Sequence, residues 1–288
     1  MKSSPASPQL VTTIAALRET LDAVRRSGKK IGLIPTMGAL HEGHLSLVEA
    51  ARQECDFTVV SIFVNPTQFG PQEDFSKYPR TLDADMAALA QCQTDLVFAP
   101  ANEEIYRPDH DTWVVVGSVA QPLEGVCRPD HFRGVATVVL KLFNMVQPDF
   151  AYFGQKDFQQ TCVIKNMVAD LTVPVTVRVC PIVREADGLA MSSRNRYLSP
   201  DARQRALVLS KSLQLAQRLV EQGECDAARI LAKMQAEIKT AADARIDYIA
   251  LVDPETLQPV ETVSQRTLAA LAVKIENTRL IDNCLLCK

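Results

Sequence analysis

Ten residues, Pro35-Thr36-Met37-Gly38-Ala39-Leu40-His41-Glu42-Gly43-His44, set two imidazoles three positions apart on a glycine-containing turn. The apolar run Ile31-Gly32-Leu33-Ile34 before them reads as a buried strand, and Leu45, Leu47, Val48 and Ala51 after them as a helix. A helix N-terminus gathers unpaired N–H groups and the positive end of the dipole, so it suits an anion. Imidazoles at i and i+3 share one face there and can donate hydrogen bonds to phosphate oxygens. The pattern points to an ATP site that is not a P-loop. Two alternatives stay open on this segment alone: an ordinary turn, and a metal site. The zinc-protease spacing, with histidines four apart, is absent.

Three further junctions carry candidate chemistry. Asn65 and Gln68, in Phe63-Val64-Asn65-Pro66-Thr67-Gln68-Phe69-Gly70, offer neutral donors and acceptors suited to a small polyhydroxy or carboxylate substrate. In Phe153-Gly154-Gln155-Lys156-Asp157-Phe158-Gln159-Gln160, Lys156 is a point charge for phosphate and Asp157 a helix cap or orienting group. Gln159 and Gln160 are adjacent on a helix, and Gln160, three positions from Asp157, is the one expected to face the cleft. Met191-Ser192-Ser193-Arg194 supplies donors for a triphosphate, with Arg194 placed to neutralise departing pyrophosphate. Gly125–Gly134, containing Arg128 and His131, reads as a mobile loop able to close over a carboxylate. Asp83 and Asp85 could reach magnesium, but they point about 200° apart on a helix and read better as a solvated helix start. The competing reading of each segment is structural: turns, caps and polar linkers.

The elements that must position these residues alternate. Strands are expected at 30–35, 57–64, 95–99, 113–116, 150–153 and 173–183, and helices at 13–26, 45–54, 81–92, 135–146 and 158–169. Such alternation makes an α/β, Rossmann-like doubly wound parallel sheet, whose ligands sit beyond the strands' carboxyl ends. After Asp187-Gly188, a helix from Ser199-Pro200 to about 222, another over 227–240, and strands at 246–251 and 268–276 make a smaller α+β C-terminal domain. The divisions are a disordered polar lead-in over 1–8, a catalytic domain over 9–186 and the small domain over 187–288.

A net charge of −3 advertises neither nucleic acid nor an anionic membrane as partner, so phosphate binding must come from a local cluster. No run approaches the roughly 20 apolar residues of a transmembrane helix, and the polar start lacks a signal-peptide core. Eight cysteines, mostly within apolar runs, fit reduced, buried thiols in the cytoplasm better than a disulfide framework. Cys284 and Cys287 form a lone C-x-x-C; with His41 and His44 they define a metal-module alternative that lacks zinc-ligand spacing.

Taken together, the motifs from about Ile31 to Leu198, with Arg279-Leu280-Ile281-Asp282-Asn283 near the end, resemble the pantoate–β-alanine ligase (pantothenate synthetase) family of the His-x-Gly-His nucleotidyltransferase superfamily. The resemblance implies that pantoate attacks the α-phosphorus of ATP, giving pantoyl adenylate and pyrophosphate, and that β-alanine then displaces AMP. It implies an ATP site of Met37, Gly38, His41, His44, Gly154, Lys156, Asp157, Val183, Met191, Ser192, Ser193 and Arg194. His44 matches the catalytic proton donor, His41 its partner, and Lys156 and Arg194 act at the phosphates. Gln68 and Gln160 match pantoate ligands, with Asn65 beside them; Arg128 and His131 match β-alanine or lid residues. Magnesium with ATP, a homodimer and a cytoplasmic location are further implications, with the metal ligands unassigned. The family's usual Glu is Gln155 here, and Ala84 interrupts the acidic cluster. The runner-up is a nucleotidyltransferase of the same superfamily acting on a phosphate-bearing substrate, which would need a basic acceptor pocket rather than the amides Asn65, Gln68 and Gln160.

Overall fold

The computed structural model describes residues 7–71, 73–264 and 266–287. In chain order it forms β1 (Gln9–Val11), α1 (Ile14–Arg26), β2 (Ile31–Thr36), α2 (Glu42–Glu54), β3 (Phe57–Ile62), α3 (Leu82–Gln91), β4 (Leu96–Phe98), α4 (Asn102–Ile105), α5 (Glu124–Cys127) and α6 (His131–Val146). Then come β5 (Phe150–Gly154), α7 (Phe158–Asp170), β6 (Thr176–Cys180), α8 (Pro200–Arg205), α9 (Val208–Glu221), α10 (Ala227–Ile238), β7 (Arg245–Val252), β8 (Thr267–Ile275) and β9 (Thr278–Leu286). The chain divides into two units. The first holds residues up to 117, 128–155 and 160–181; the second holds 118–127, 156–159 and 182 onward.

The first unit is built on a parallel six-stranded sheet in the order β1-β4-β3-β2-β5-β6. From β2 the chain moves outward to β3 and β4, then returns to β5 and β6 on the other side. The order therefore reverses between β2 and β5, and the crevice beyond their carboxyl ends is where such sheets bind ligands. Ile34, Val60 and Val97 face α2 and α3, packing with Leu47, Val48, Ala51 and Leu89. The alternate residues Leu33, Val59 and Leu96 point the opposite way and are fully buried. Each such side chain contributes roughly 1.5–3 kcal/mol of burial, so the strand ends are rigid platforms for their loops. α1 starts at Thr13, whose hydroxyl accepts from Ala16 N at 3.3 Å, and ends with Arg25 and Arg26 in its last turn.

The second unit pairs β7, β8 and β9 as an antiparallel sheet. Leu209, Leu213, Ile230 and Met234 from α9 and α10 share one core with Ala269, Leu271 and Val273 of β8. Ser199 caps α8, its hydroxyl accepting from Ala202 N at 3.1 Å, with Pro200 in the first turn.

Several expectations fail locally. Residues 113–116 form no strand despite their β-branched pattern; Val114 N donates instead to Thr137 Oγ1 at 3.0 Å. The helix expected from Ser199 to about 222 breaks between α8 and α9, at Ala206 and Leu207. β9 lies outside the expected strands. The cysteines are free thiols, but only Cys162 is buried, and Cys127 and Cys287 are exposed. Burial pushes the Cys284 thiol up to about 12. Of the expected lead-in, residues 1–6 lie outside the described residues, while Pro8 is buried directly before β1.

Candidate active site

In the first unit, the turn after β2 is held by side chains rather than by a ladder. The Thr36 hydroxyl donates to Ser61 O at 2.7 Å and accepts from Gly38 N at 3.2 Å. Gly38 and Ala39 are both left-handed, with φ of +80° and +50°. A Cβ on Gly38 would meet Ile62 Cγ2 at 3.0 Å and Asp85 Oδ2 at 3.1 Å, so this turn needs glycine for conformation and for space. Asp85 lies beneath it. Its carboxylate accepts from Ala39 N at 3.0 Å, Leu40 N at 2.8 Å and the Thr81 hydroxyl at 3.2 Å. Asp85 is only 3% exposed, which corrects the reading of this segment as a solvated helix start; Asp83 alone faces solvent. A cavity of about 290 Å³ opens beside the turn, lined by Met37, Gly38, Phe63, Arg80, Asp85 and Asn102 among others.

α2 opens at His41, earlier than Leu45. His41 Nδ1 accepts from Gly43 N at 3.2 Å, and His44 Nδ1 accepts from His41 N at 3.3 Å. A backbone N–H can only donate, so neither Nδ1 carries a proton in these bonds. In the neutral rings the proton sits on Nε2. The two rings lie 4.1 Å apart, tilted by 39°. Their geometry therefore supplies Nε2–H donors at a helix N-terminus beside the strand-order reversal.

Asn65 is 1% exposed and caps the 3-10 turn Pro66–Gln68. Gln68 is half-buried, with Nε2 donating to Met37 Sδ at 3.3 Å. Gly125–Gly134 is not an open loop: α5 and α6 occupy most of it. Arg128 forms a two-pronged pair with Glu73, at 2.7 and 2.6 Å, and donates to Gln68 O at 3.3 Å. Because the guanidinium only donates, His131 Nε2, 3.2 Å from Arg128 Nη1, accepts, and Nδ1–H donates to Gln68 O at 2.9 Å. Burial alone would raise the Glu73 pKa, but the Arg128 guanidinium and the His131 ring hold it below the usual carboxylate range. Glu73 escapes the sequence reading, since nothing in its local pattern marks a partner 55 residues away. Gly154 ends β5, and Gln160 is half-buried on α7.

In the second unit, residues 183–191 fold back on themselves. Met191 N donates to Val183 O at 3.0 Å, Arg184 bridges Ala190, and Gly188 turns the tip with φ of +95°. Arg203 pins this segment through Glu185 and Asp187, at 2.7 and 2.8 Å. Ser192 Oγ accepts from Arg194 N at 3.3 Å, opening a 3-10 turn with Ser193 buried. Lys156 Nζ lies 3.7 Å from Asp157, and Lys156 O accepts from Asn283 Nδ2 at 2.8 Å. Asp282 forms a two-pronged pair with Arg184, at 2.7 and 3.0 Å. Gln159 is engaged by the 119–124 backbone: Nε2 donates to Val119 O and Pro122 O, and Oε1 accepts from Glu124 N. Among the described residues, no group of three His, Cys, Asp or Glu side chains could hold a metal ion.

The sequence model of the pantoate-beta-alanine ligase family matches residues 9–285. The chain belongs to the pantoate–β-alanine ligase family. It is 55% identical to the pantothenate synthetase of Moorella thermoacetica over 278 residues, covering 96% of this chain and 98% of the relative. The solved pantothenate synthetase of Thermus thermophilus superposes with a TM-score of 0.93 at 46% identity, covering 97% of this chain and all of that one. A pantoate-beta-alanine ligase from Francisella tularensis, solved with beta-gamma ATP and beta-alanine, gives a TM-score of 0.81 at 34% identity over 97% and 98% of the two chains. As a pantoate–β-alanine ligase, the chain condenses pantoate with β-alanine at the expense of ATP, so the transferase alternative falls away.

Proposed function

We propose that His41, His44, Lys156 and Arg194 carry the adenylation half of the reaction. A pantoate carboxylate oxygen attacks the α-phosphorus, the bond from that phosphorus to the bridging oxygen breaks, and pyrophosphate leaves. The β-alanine amine then attacks the acyl carbon, losing a proton as AMP departs. The first step needs little covalent help from the protein; it needs positioning and charge stabilisation at phosphorus. The observation that carries this reading is the histidine pair. With both Nδ1 atoms accepting from backbone N–H groups, the ring proton sits on Nε2, which makes each histidine a donor suited to phosphate oxygens. Lys156 and Arg194 supply the positive charge for pyrophosphate, while Met37, Gly38, Gly154, Asp157, Val183, Met191, Ser192 and Ser193 complete the nucleotide contacts. Gln68 and Gln160 hold pantoate; Arg128 and His131, tied to the Gln68 backbone, serve β-alanine.

Magnesium enters with ATP. Of the two acids the sequence offers, Asp85 is engaged by the turn, and no described group of three or more acidic, His or Cys side chains makes a metal cage. A homodimer and a cytoplasmic location complete the reading; no helix among the described residues is long and apolar enough to cross a membrane. The test is exchange of labelled pyrophosphate into ATP with pantoate and magnesium present and β-alanine omitted. Pantoate-dependent exchange supports the adenylate. Formation of AMP and pantothenate with no exchange at any pantoate concentration would rule out reversible adenylation.

A further inference from the structure

We propose that Thr67 N–H and the carbonyl of Gly134, reinforced by the Tyr106 hydroxyl, set the polarity of the Asn65–Gln68 amide pair, so that Gln68 presents its NH2 end, a donor, to the substrate. The proposal rests on the reading of Gln68 as a pantoate ligand. An amide turned end for end keeps its shape and exchanges donor for acceptor, so its partners decide which end faces where. Two partners of Asn65 have roles that cannot change: Thr67 N–H only donates, and Gly134 O only accepts. Asn65 Oδ1 faces the donors, Thr67 N at 3.4 Å, the Thr67 hydroxyl at 2.9 Å and the Tyr106 hydroxyl at 2.8 Å. Asn65 Nδ2 faces Gly134 O at 3.2 Å, and its other hydrogen goes to Gln68 Oε1 at 3.0 Å.

With Oε1 engaged, the end of Gln68 left for a ligand is Nε2, whose contact with Met37 Sδ is to a weak acceptor. That end selects a substrate presenting oxygen acceptors, a carboxylate or a hydroxyl, over one presenting N–H groups. Asn65 has both hydrogens and its oxygen satisfied within the protein at 1% exposure, so it acts through Gln68 as a positioning residue.

The outer shell is built for this. A Cβ on Gly134 would lie 2.4 Å from Thr67 O, so only glycine lets α6 bring its carbonyl to Asn65. The Tyr106 ring is held edge-on to His110 at 4.9 Å, with the Lys141 ammonium 5.3 Å from its centroid. Burial raises the Tyr106 pKa, and the phenol therefore keeps the proton it donates.

The test compares Tyr106→Phe, Gln68→Ala and the double variant by steady-state kinetics in pantoate and in ATP. Tyr106→Phe keeps the ring and removes only the hydroxyl. It should raise KM for pantoate about 3- to 10-fold, the scale of one neutral hydrogen bond, and leave KM for ATP unchanged. In the Gln68→Ala background the same change should cost nothing further, since its effect passes through Gln68. Should Tyr106→Phe fail to fold, Thr67→Val removes the other hydroxyl donating to Asn65 Oδ1 and makes the same test. An unchanged pantoate KM in the single variant, or an equal loss on top of Gln68→Ala, overturns the proposal. An unchanged pantoate KM in Gln68→Ala itself takes down the substrate reading and this proposal with it.

Discussion

Replacing Asp85 with asparagine keeps the side chain's shape but leaves one acceptor oxygen where two are used. Ala39 N and Leu40 N each donate to a separate carboxylate oxygen, at 3.0 and 2.8 Å, in a turn where Ala39 is fully buried. Hydrogen bonds to a charged group contribute about 1.5–3 kcal/mol each and neutral ones about 0.5–1.5, while a buried N–H left unpaired costs about 1–3. Trading two charged bonds for one neutral bond therefore costs about 2–4 kcal/mol. A typical domain has about 5–15 kcal/mol to lose, so Asp85→Asn should fold but unfold at lower denaturant concentration. The catalytic effect should be of similar size. Ala39 sits at φ +50°, a conformation costing about 1–2 kcal/mol for an L-residue, and the carboxylate is what holds it there. Once released, the turn carries His41 and His44 away from their settings, and a displacement near 1 Å costs on the order of 10²-fold in rate. Pyrophosphate exchange and urea unfolding measured on the same preparation check both numbers. Exchange within twofold of the parent protein, at unchanged stability, would refute the argument that this carboxylate sets the histidine turn.

His44→Ala and Lys156→Ala should each lower pyrophosphate exchange by about 10²-fold or more, the usual scale for losing one charge-stabilising group; parent-like exchange by a folded variant removes that residue from the mechanism. Asn283→Ala frees the Lys156 carbonyl and should raise KM for ATP several-fold while leaving KM for pantoate alone, which initial-rate kinetics in each substrate will read. Glu73 has a depressed pKa, so its contribution to stability is complete above the ordinary glutamate value of about 4.3 and is lost as pH falls through the lower folded value. The stability gap between the parent and Glu73→Gln should thus shrink only in solution more acid than about pH 5, and unfolding curves from neutral pH into that range test it.

What the sequence discloses, it discloses through short-range pattern. The run at 31–34, the glycine turn and the apolar spacing after it specify β2, the histidine turn and α2, because each signal lies within one element. Asp85 is different: its work is done on residues 45 and 46 positions away, a proximity created by the sheet and invisible in its own helix pattern. The pairing of Glu73 with Arg128 is hidden for the same reason. The β-branched run at Trp113–Val116 misleads because a strand needs a neighbour as well as a pattern, and here the backbone finds a threonine hydroxyl. β9 is masked by Arg279, Asp282 and Asn283, polar residues that break the two-residue hydrophobic period yet are satisfied by ion pairs and a backbone carbonyl. The break after α8 has neither glycine nor proline to announce it.

The bond from Asn283 to the Lys156 carbonyl joins residues 127 positions apart. At translation speeds of about 5–20 residues per second, the ribosome needs roughly 6–25 s to make that stretch. Throughout that interval the lysine has been synthesised but its tether has not. On the proposed reading of Lys156 as a phosphate ligand, a nascent chain would gain the final setting of that loop only when β9 pairs with β8.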